Sequence, residues 1–251
     1  MDTFPLILIC APTNEVKRYC QFRWIEQVMN LSYPNYLVYL CDNSPTENFS
    51  NEIRKTGVIC DWVNPKGKRN MQYMAESHEM CRKKAIAIGA EFMIHWEVDL
   101  FNDDKACIEN LLMRFNHLML SEFTARFLPI PRYAPLLGGL YHIKEGKESY
   151  LCLINKSSRH IAEGAISTHV LERGADMMVA DGNFKEMFHV GLGYTLIHNT
   201  VFDKISFRFD EREIFHPDSS FAEDLYYLGG KVYADTSLLL KHENSKWIHY
   251  N

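Results

Sequence analysis

Two carboxylates one residue apart, Glu97 and Asp99, directly follow an apolar run at residues 91–96 (EFMIHW). If that run is a buried strand and the chain turns at its end, an i, i+2 pair can point one way. Oxygen donors so placed suit a hard divalent cation, Mn2+ or Mg2+, which also takes phosphate oxygens. A nucleoside diphosphate is then the natural third partner, and the cation would neutralise charge growing on a departing diphosphate. The same pattern at a strand end is also what a solvated loop carries. His242 ends another apolar run. A lone histidine is commonly structural; it becomes a ligand only if the fold brings a neutral imidazole beside Asp99. The acidic pair Glu223 and Asp224 reads as a dipole or capping feature at a helix start, or as a general base drawing a proton from an acceptor hydroxyl. Asp42 would accept from a base N–H or close an Asx turn. Arg82 would meet a diphosphate or lie on a solvated helix face. Trp96, Trp247 and Tyr250 offer stacking faces or core bulk.

The elements that must position these groups alternate. Residues 6–11 (LILICA), 36–41 (YLVYLC), 58–63 and 91–96 read as strands buried on both faces. Between and after them, residues 18–31, 51–55, 71–89 and 103–120 read as helices, with Gly89 a stop signal. Four strand–helix alternations imply a parallel sheet with helices on both faces, whose ligands sit beyond the carboxyl ends of the strands. Thr13-Asn14-Glu15, Asp42-Asn43-Ser44 and Glu97-Val98-Asp99 fall at those ends. The second half is less regular. Residues 137–143 and 150–154 suggest a hairpin around Lys144-Glu145-Gly146-Lys147, residues 222–228 a helical turn, and residues 231–234 and 237–240 two short strands.

The chain has 251 residues, 47% hydrophobic and 24% charged, with no Pro/Gly/Ser-rich linker or repeat, so one domain spanning 1–251 is expected. A net charge of -5 and the lack of a long basic block argue against general nucleic-acid coating. Seven cysteines, an odd number without C-x-x-C, sit mostly in apolar runs and read as buried thiols of a reducing, cytoplasmic compartment. Asp2 precedes the first apolar run, which therefore reads as a strand and not a signal peptide. No apolar stretch is long enough to span a bilayer.

The order of these motifs resembles the family 2-like GT-A glycosyltransferases over roughly residues 6–243. APTNEV looks like their first nucleotide loop and LVYLCDNS like the second strand with its base-holding acid. MCRKKAIAIGAEFMIHWEVDLF is similar to their Arg-bearing helix, strand and D-x-D. VGLGYTLIHNTVFDKI looks like the segment lining the sugar and acceptor site, and FAEDLYYLGGKVYADTSLLLKHE like the closing stretch with its acidic pair and histidine. The resemblance implies an α/β fold of GT-A type: a Rossmann-like, mostly parallel sheet flanked by helices, with a nucleotide-sugar-binding half at about 1–101 and a partly antiparallel acceptor-binding half at about 102–251. It implies that Pro12, Thr13, Glu15 and Asp42 hold the nucleoside, with Arg82 near it. Asp99 and His242 would bind the metal. Asp224 would be the base, with Glu223 beside it. Glu97, which would assist at the metal, stands where the family has the first Asp, and its longer reach points to the ribose or a bridging water instead of direct metal contact. Lys83 replaces an Asn frequent after the Arg. The implied reaction moves a sugar from a nucleoside diphosphate sugar, a UDP-sugar first among them, to an acceptor hydroxyl with inversion. The acceptor class stays open among glycan, lipid, protein, small molecule and modified nucleic-acid base. A nucleotidyltransferase is a competing reading, weakened by the absence of glycine from APTNEVKR; a non-catalytic sugar- or nucleotide-binding module is another.

Overall fold

The first apolar run forms β1 (Ile7–Thr13), followed by a single 3-10 turn (Glu15–Lys17) and α1 (Arg18–Met29). β2 (Tyr36–Asp42), α2 (Asn48–Arg54), β3 (Ile59–Trp62), α3 (Asn70–Ala87) and β4 (Phe92–Trp96) continue the alternation. This computed structural model describes residues 4–121, 132–141, 153–154, 182–209 and 216–243. β1 pairs in parallel with β2 and β4, and β2 with β3. Its side chains alternate between two cores. Ile7, Ile9 and Ala11 join Trp24 and Val28 of α1 and Phe49 and Ile53 of α2. Leu8 and Cys10 join Cys81 and Ala85 of α3. Burial on both faces, worth roughly 1.5–3 kcal/mol per large side chain, fixes the register that carries Thr13, Asp42 and Trp96 to one edge.

After β5 (Leu100–Phe101) and α4 (Cys107–Met119), the sheet continues through β6 (Leu136–Leu140), β8 (Phe184–Met187), β10 (Tyr194–His198) and β11 (Val232–Leu239). The eight strands run β3-β2-β1-β4-β10-β6-β11-β8. β10 is antiparallel to both β4 and β6, β11 is parallel to β6, and β8 is antiparallel to β11. A parallel half thus meets a mixed half at β4/β10. Outside this sheet, β7 (Leu153–Ile154) pairs with β9 (His189–Val190), and β12 (Lys241–His242) pairs with β5. Two short helices, α5 (Asn199–Phe202) and α6 (Pro217–Tyr227), complete the described elements.

The irregular half differs from its sequence reading in three places. β6 and β7 do not form a hairpin with each other: both edges of β6 are taken by β10 and β11, so β7 pairs with β9. The turn residues 144–147 lie outside the described residues, as do Cys152, Trp247 and Tyr250. The last two expected strands are one strand, β11, whose register shifts between Ala234 and Leu239. Asp235 holds that irregularity: its Oδ1 accepts from the Ser237 N–H and hydroxyl, and Arg114 of α4 grips both carboxylate oxygens at 2.6 and 2.8 Å. The turn expected at 222–228 is the end of α6, which starts at Pro217, where a missing N–H costs a helix nothing. Six cysteines of the described residues are buried and free, and no helix among those residues is long and apolar enough to cross a membrane.

Candidate functional site

β4 ends at Trp96, and the chain turns at once: the Leu100 N–H donates to the Glu97 carbonyl at 3.0 Å. Trp96 Nε1 donates to the Leu100 carbonyl at 2.9 Å, bracing the same turn from beneath. The Glu97 N–H donates to the Gly193 carbonyl at 2.7 Å, and the Gly193 N–H to Tyr141 Oη at 3.1 Å. A Cβ at Gly193 would lie 2.5 Å from Leu100 and from the Tyr141 ring, so only glycine lets these segments meet. Past the turn, the β5–β12 pairing sets His242 opposite Leu100, and the Glu243 N–H donates to the Asp99 carbonyl at 2.8 Å. Backbone pairing at this point carries a histidine from the end of the chain to the tip of β4.

Glu97, Asp99 and His242 each present a ligand atom there, all within 4.8 Å of one another. His242 Nε2 lies 3.5 Å from Asp99 Oδ2. The loop after β1 brings a fourth group that the motif reading passed over. Asn14 caps the 3-10 turn by accepting from the Val16 N–H, and the turn ends on Lys17. Lys17 Nζ lies 3.0 Å from Asp99 Oδ2 and 3.9 Å from Glu97 Oε2. The Asp99 side chain is wholly buried. Burial works to raise its pKa, but the Lys17 ammonium and then His242 outweigh it and hold the carboxyl well below the usual range. Lys17 is raised in turn: burial opposes the shift, and Asp99 and Glu97 drive it. A buried carboxylate that stays ionised demands a cation. Two carboxylates and an imidazole form an O, O, N donor set that fits Mn2+, and Lys17 already holds positive charge at the same oxygens.

The residues expected around the nucleoside lie along the adjoining strand ends. The Asn43 N–H donates to the Thr13 carbonyl at 2.9 Å, the Glu15 N–H to Ser44 Oγ at 2.8 Å, and Asn14 Nδ2 to Asn43 Oδ1 at 2.8 Å. Thr13 is buried and its hydroxyl donates to Gln21; Pro12 is half-buried and Glu15 exposed. Asp42 is fully buried and forms the Asx turn: Oδ1 accepts from the Ser44 N–H at 2.9 Å and its hydroxyl at 2.5 Å. Burial raises its pKa, offset in part by Ser44. Arg82 faces away from these ends. Its Nε and Nη2 bind Glu79 at 2.7 and 2.6 Å, and its Nη1 donates to the Phe202 carbonyl at 2.6 Å, tying α3 to α5. Asp224 lies in the later turns of α6, not at its start, with its carboxylate held by Arg208 Nε and Nη2 at 3.0 and 3.1 Å; Glu223 stands 3.9 Å from the same guanidinium.

A chain of histidines, buried except for His216, adjoins the cluster, and the sequence reading did not single it out. His95 of β4 donates from Nδ1 to the Leu192 carbonyl at 2.5 Å, leaving Nε2 to accept from His78 Nδ1 at 2.8 Å. Burial pushes His95 down to about 4 and His78 well below its ordinary value, so both are neutral. The His78 ring meets His216 edge-on, with centroids 6.1 Å apart. His216 Nδ1 is 2.7 Å from Asp218 Oδ1, and Asp218 Oδ2 is 3.4 Å from His189 Nε2. A histidine inside the apolar run EFMIHW, and His-Pro-Asp at a helix start, were the available signals.

No protein-family model matches the sequence, and no curated protein matches it. Solved structures do match in shape. The mannosyltransferase PcManGT from Pyrobaculum calidifontis, in complex with GDP-Man and Mn2+, aligns over 96% of this chain and 57% of its own at 11% identity, TM-score 0.57. S. aureus TarS 1-349 in complex with UDP-GlcNAc aligns over 98% of this chain and 62% of its own at 10% identity, TM-score 0.56. A197 from STIV aligns over 96% of this chain and 87% of its own at 12% identity, TM-score 0.51. The chain thus spans most of A197 but about six-tenths of the other two. With a parallel half joined to a mixed half at β4/β10, and an acidic turn at the tip of β4, this chain has the GT-A fold of glycosyltransferases.

Proposed function

We propose that the protein transfers a sugar from a nucleoside diphosphate sugar, a UDP-sugar first among the donors, to an acceptor hydroxyl, with a divalent cation held by Asp99, His242 and Glu97. The observation that carries the reading is the meeting of these three donors, from β4's tip and the last described strand, within 4.8 Å. That PcManGT is described with GDP-Man and Mn2+ supports it as a likeness. A bound Mn2+ or Mg2+ would supply Lewis-acid stabilisation of the departing diphosphate. This chain's own residues supply the rest. Lys17 holds the Asp99 carboxylate ionised until a cation takes its place. Pro12, Thr13 and Glu15 border the nucleoside side of the site. Asp42 acts through its Asx turn, holding the Ser44 hydroxyl on which the Glu15 N–H docks. Arg82 keeps α3 fixed against α5. Displacement is direct, with inversion, which requires a proton acceptor on the acceptor face.

Titration calorimetry with UDP-glucose, UDP-GlcNAc and GDP-mannose, each with and without Mn2+, tests the reading. At least one donor is expected to bind, and to bind more tightly with Mn2+. Binding indifferent to the metal for all three, or no binding at all, would sink it.

A further inference from the structure

We propose that His216, oriented by Asp218, is the catalytic base that takes the proton from the attacking hydroxyl; the proposal rests on the sugar-transfer reading above. Asp218 is buried and held in place: its Oδ1 accepts from the Ser219 N–H at 2.7 Å as well as from His216 Nδ1 at 2.7 Å, and His189 stands at its other oxygen. A carboxylate on Nδ1 fixes the tautomer with the proton there, so Nε2 is the acceptor. The His216 side chain is 35% exposed, open to an incoming hydroxyl. Behind it lies the neutral His78 ring, itself backed by Phe207 at 5.1 Å, which bounds the imidazole on one side. The charged groups acting on His216 are Asp218 from α6, Glu97 from the tip of β4, and Lys17. The His216 ring meets His78, which is bonded to His95 of β4, two residues before Glu97, so the dyad lies beside the strand whose tip carries the cation cluster. Burial lowers its pKa, but Asp218 more than compensates, and the imidazole is the stronger base for it. Asp218 itself is held well below the usual carboxylate range despite its burial, chiefly by His216, which makes it an orienting group and a poor proton acceptor. Asp224 is six residues further along α6, roughly 9 Å down the axis, and already committed to Arg208.

In the step, the acceptor oxygen forms a bond to the anomeric carbon as His216 Nε2 takes its proton. The bond from that carbon to the diphosphate oxygen breaks, and its electron pair leaves with the nucleoside diphosphate. The resulting imidazolium, stabilised by Asp218, returns its proton to solvent. Water can stand in for the unidentified hydroxyl, so hydrolysis of the donors above in Mn2+ reads the step.

The test compares wild type, His216→Gln, Asp218→Asn and Asp224→Asn for donor binding and for nucleoside diphosphate release. His216→Gln is expected to keep Mn2+-dependent binding while release falls about a hundredfold to ten-thousandfold. Asp218→Asn is expected to lower release and to move its acid limb to lower pH, because the imidazole loses the charge that raises it. By NMR, His216 should titrate above a free imidazole in wild type and lower in Asp218→Asn. Near-normal release from His216→Gln, loss in Asp224→Asn alone, or His216 titrating at or below a free imidazole would each overturn the dyad while leaving the sugar-transfer reading in place. Donors that fail to bind wild type at all would overturn both.

Discussion

Lys17 and a divalent cation both claim the Asp99 carboxylate, and that competition has a measurable size. The ammonium sits 3.0 Å from the carboxylate. At an effective dielectric of about 20, unit charges at that separation attract by roughly 5 kcal/mol. Desolvation of the two groups offsets much of it, leaving a net on the order of 1–3 kcal/mol. A metal entering between Glu97, Asp99 and His242 must first overcome this net. Replacing Lys17 by Met removes the competitor and keeps most of the stem's bulk. Lys17→Met should therefore bind Mn2+ about tenfold to a hundredfold more tightly than wild type. The same change leaves Asp99 buried with its principal counter-charge gone, which costs the metal-free protein about 3–5 kcal/mol. The thermal midpoint should fall without metal and recover when Mn2+ is added, since a ligand of the folded state alone stabilises it. Calorimetric titration with MnCl2 at low ionic strength gives the first quantity and a melting curve with and without Mn2+ the second. An affinity for Mn2+ equal to or weaker than that of wild type would refute the shared-oxygen reasoning, whatever the melting curves show.

Other outcomes are equally open to measurement. Asp99→Ala should abolish the effect of Mn2+ on donor affinity; a variant whose donor binding still responds to Mn2+ as wild type does would remove Asp99 from the site. Gly193→Ala forces a Cβ to within 2.5 Å of Leu100 and Tyr141 and should cost about 1–3 kcal/mol in urea unfolding, with a loss of Mn2+ affinity because Glu97 hangs on the Gly193 carbonyl; full stability in this variant would contradict the packing. Stability should also fall in mild acid. Burial pushes the folded His95 down to about 4, against about 6.5 for an ordinary imidazole. Between those values the unfolded chain takes up a proton that the folded chain refuses. The contribution is thus complete above about 6.5 and lost as pH falls towards 4, about 3 kcal/mol for the one group. Asp99 and Asp218, both lowered, give up their contributions only below about 4. Urea unfolding at pH 7.5 and 4.5 should show a smaller loss in His95→Gln than in wild type, and an equal loss would count against a neutral buried His95.

What could be read from the sequence divides along the sheet. β1 to β4 were legible because each is buried on both faces and so appears as an unbroken apolar run, and because helices of ordinary length separate them. The acidic turn was legible for the same reason: Glu97 and Asp99 interrupt a pattern whose period is clear. The mixed half was not, since β6 takes partners from residues 194–198 and 232–239, and pairing across such separations leaves no local trace. His242 could be named from the sequence only as a conditional ligand, because its place beside Asp99 depends on a two-residue pairing with β5. Lys17 and His216 were missed for another reason. A lysine after a strand and a histidine before a proline are ordinary surface residues in sequence. Each gains its chemistry from a carboxylate supplied at a different point: Asp99 for Lys17, 82 residues on, and Asp218 for His216, whose pairing depends on α6 starting at Pro217 and not at residue 222. The same boundary bears on the base. A helix starting at 222 would put Asp224 in its first turn, open to a substrate; a helix starting at 217 puts Asp218 there instead and leaves Asp224 two turns down, beside Arg208. The helix start decides which acid meets His216, and propensity alone does not set helix ends to that accuracy.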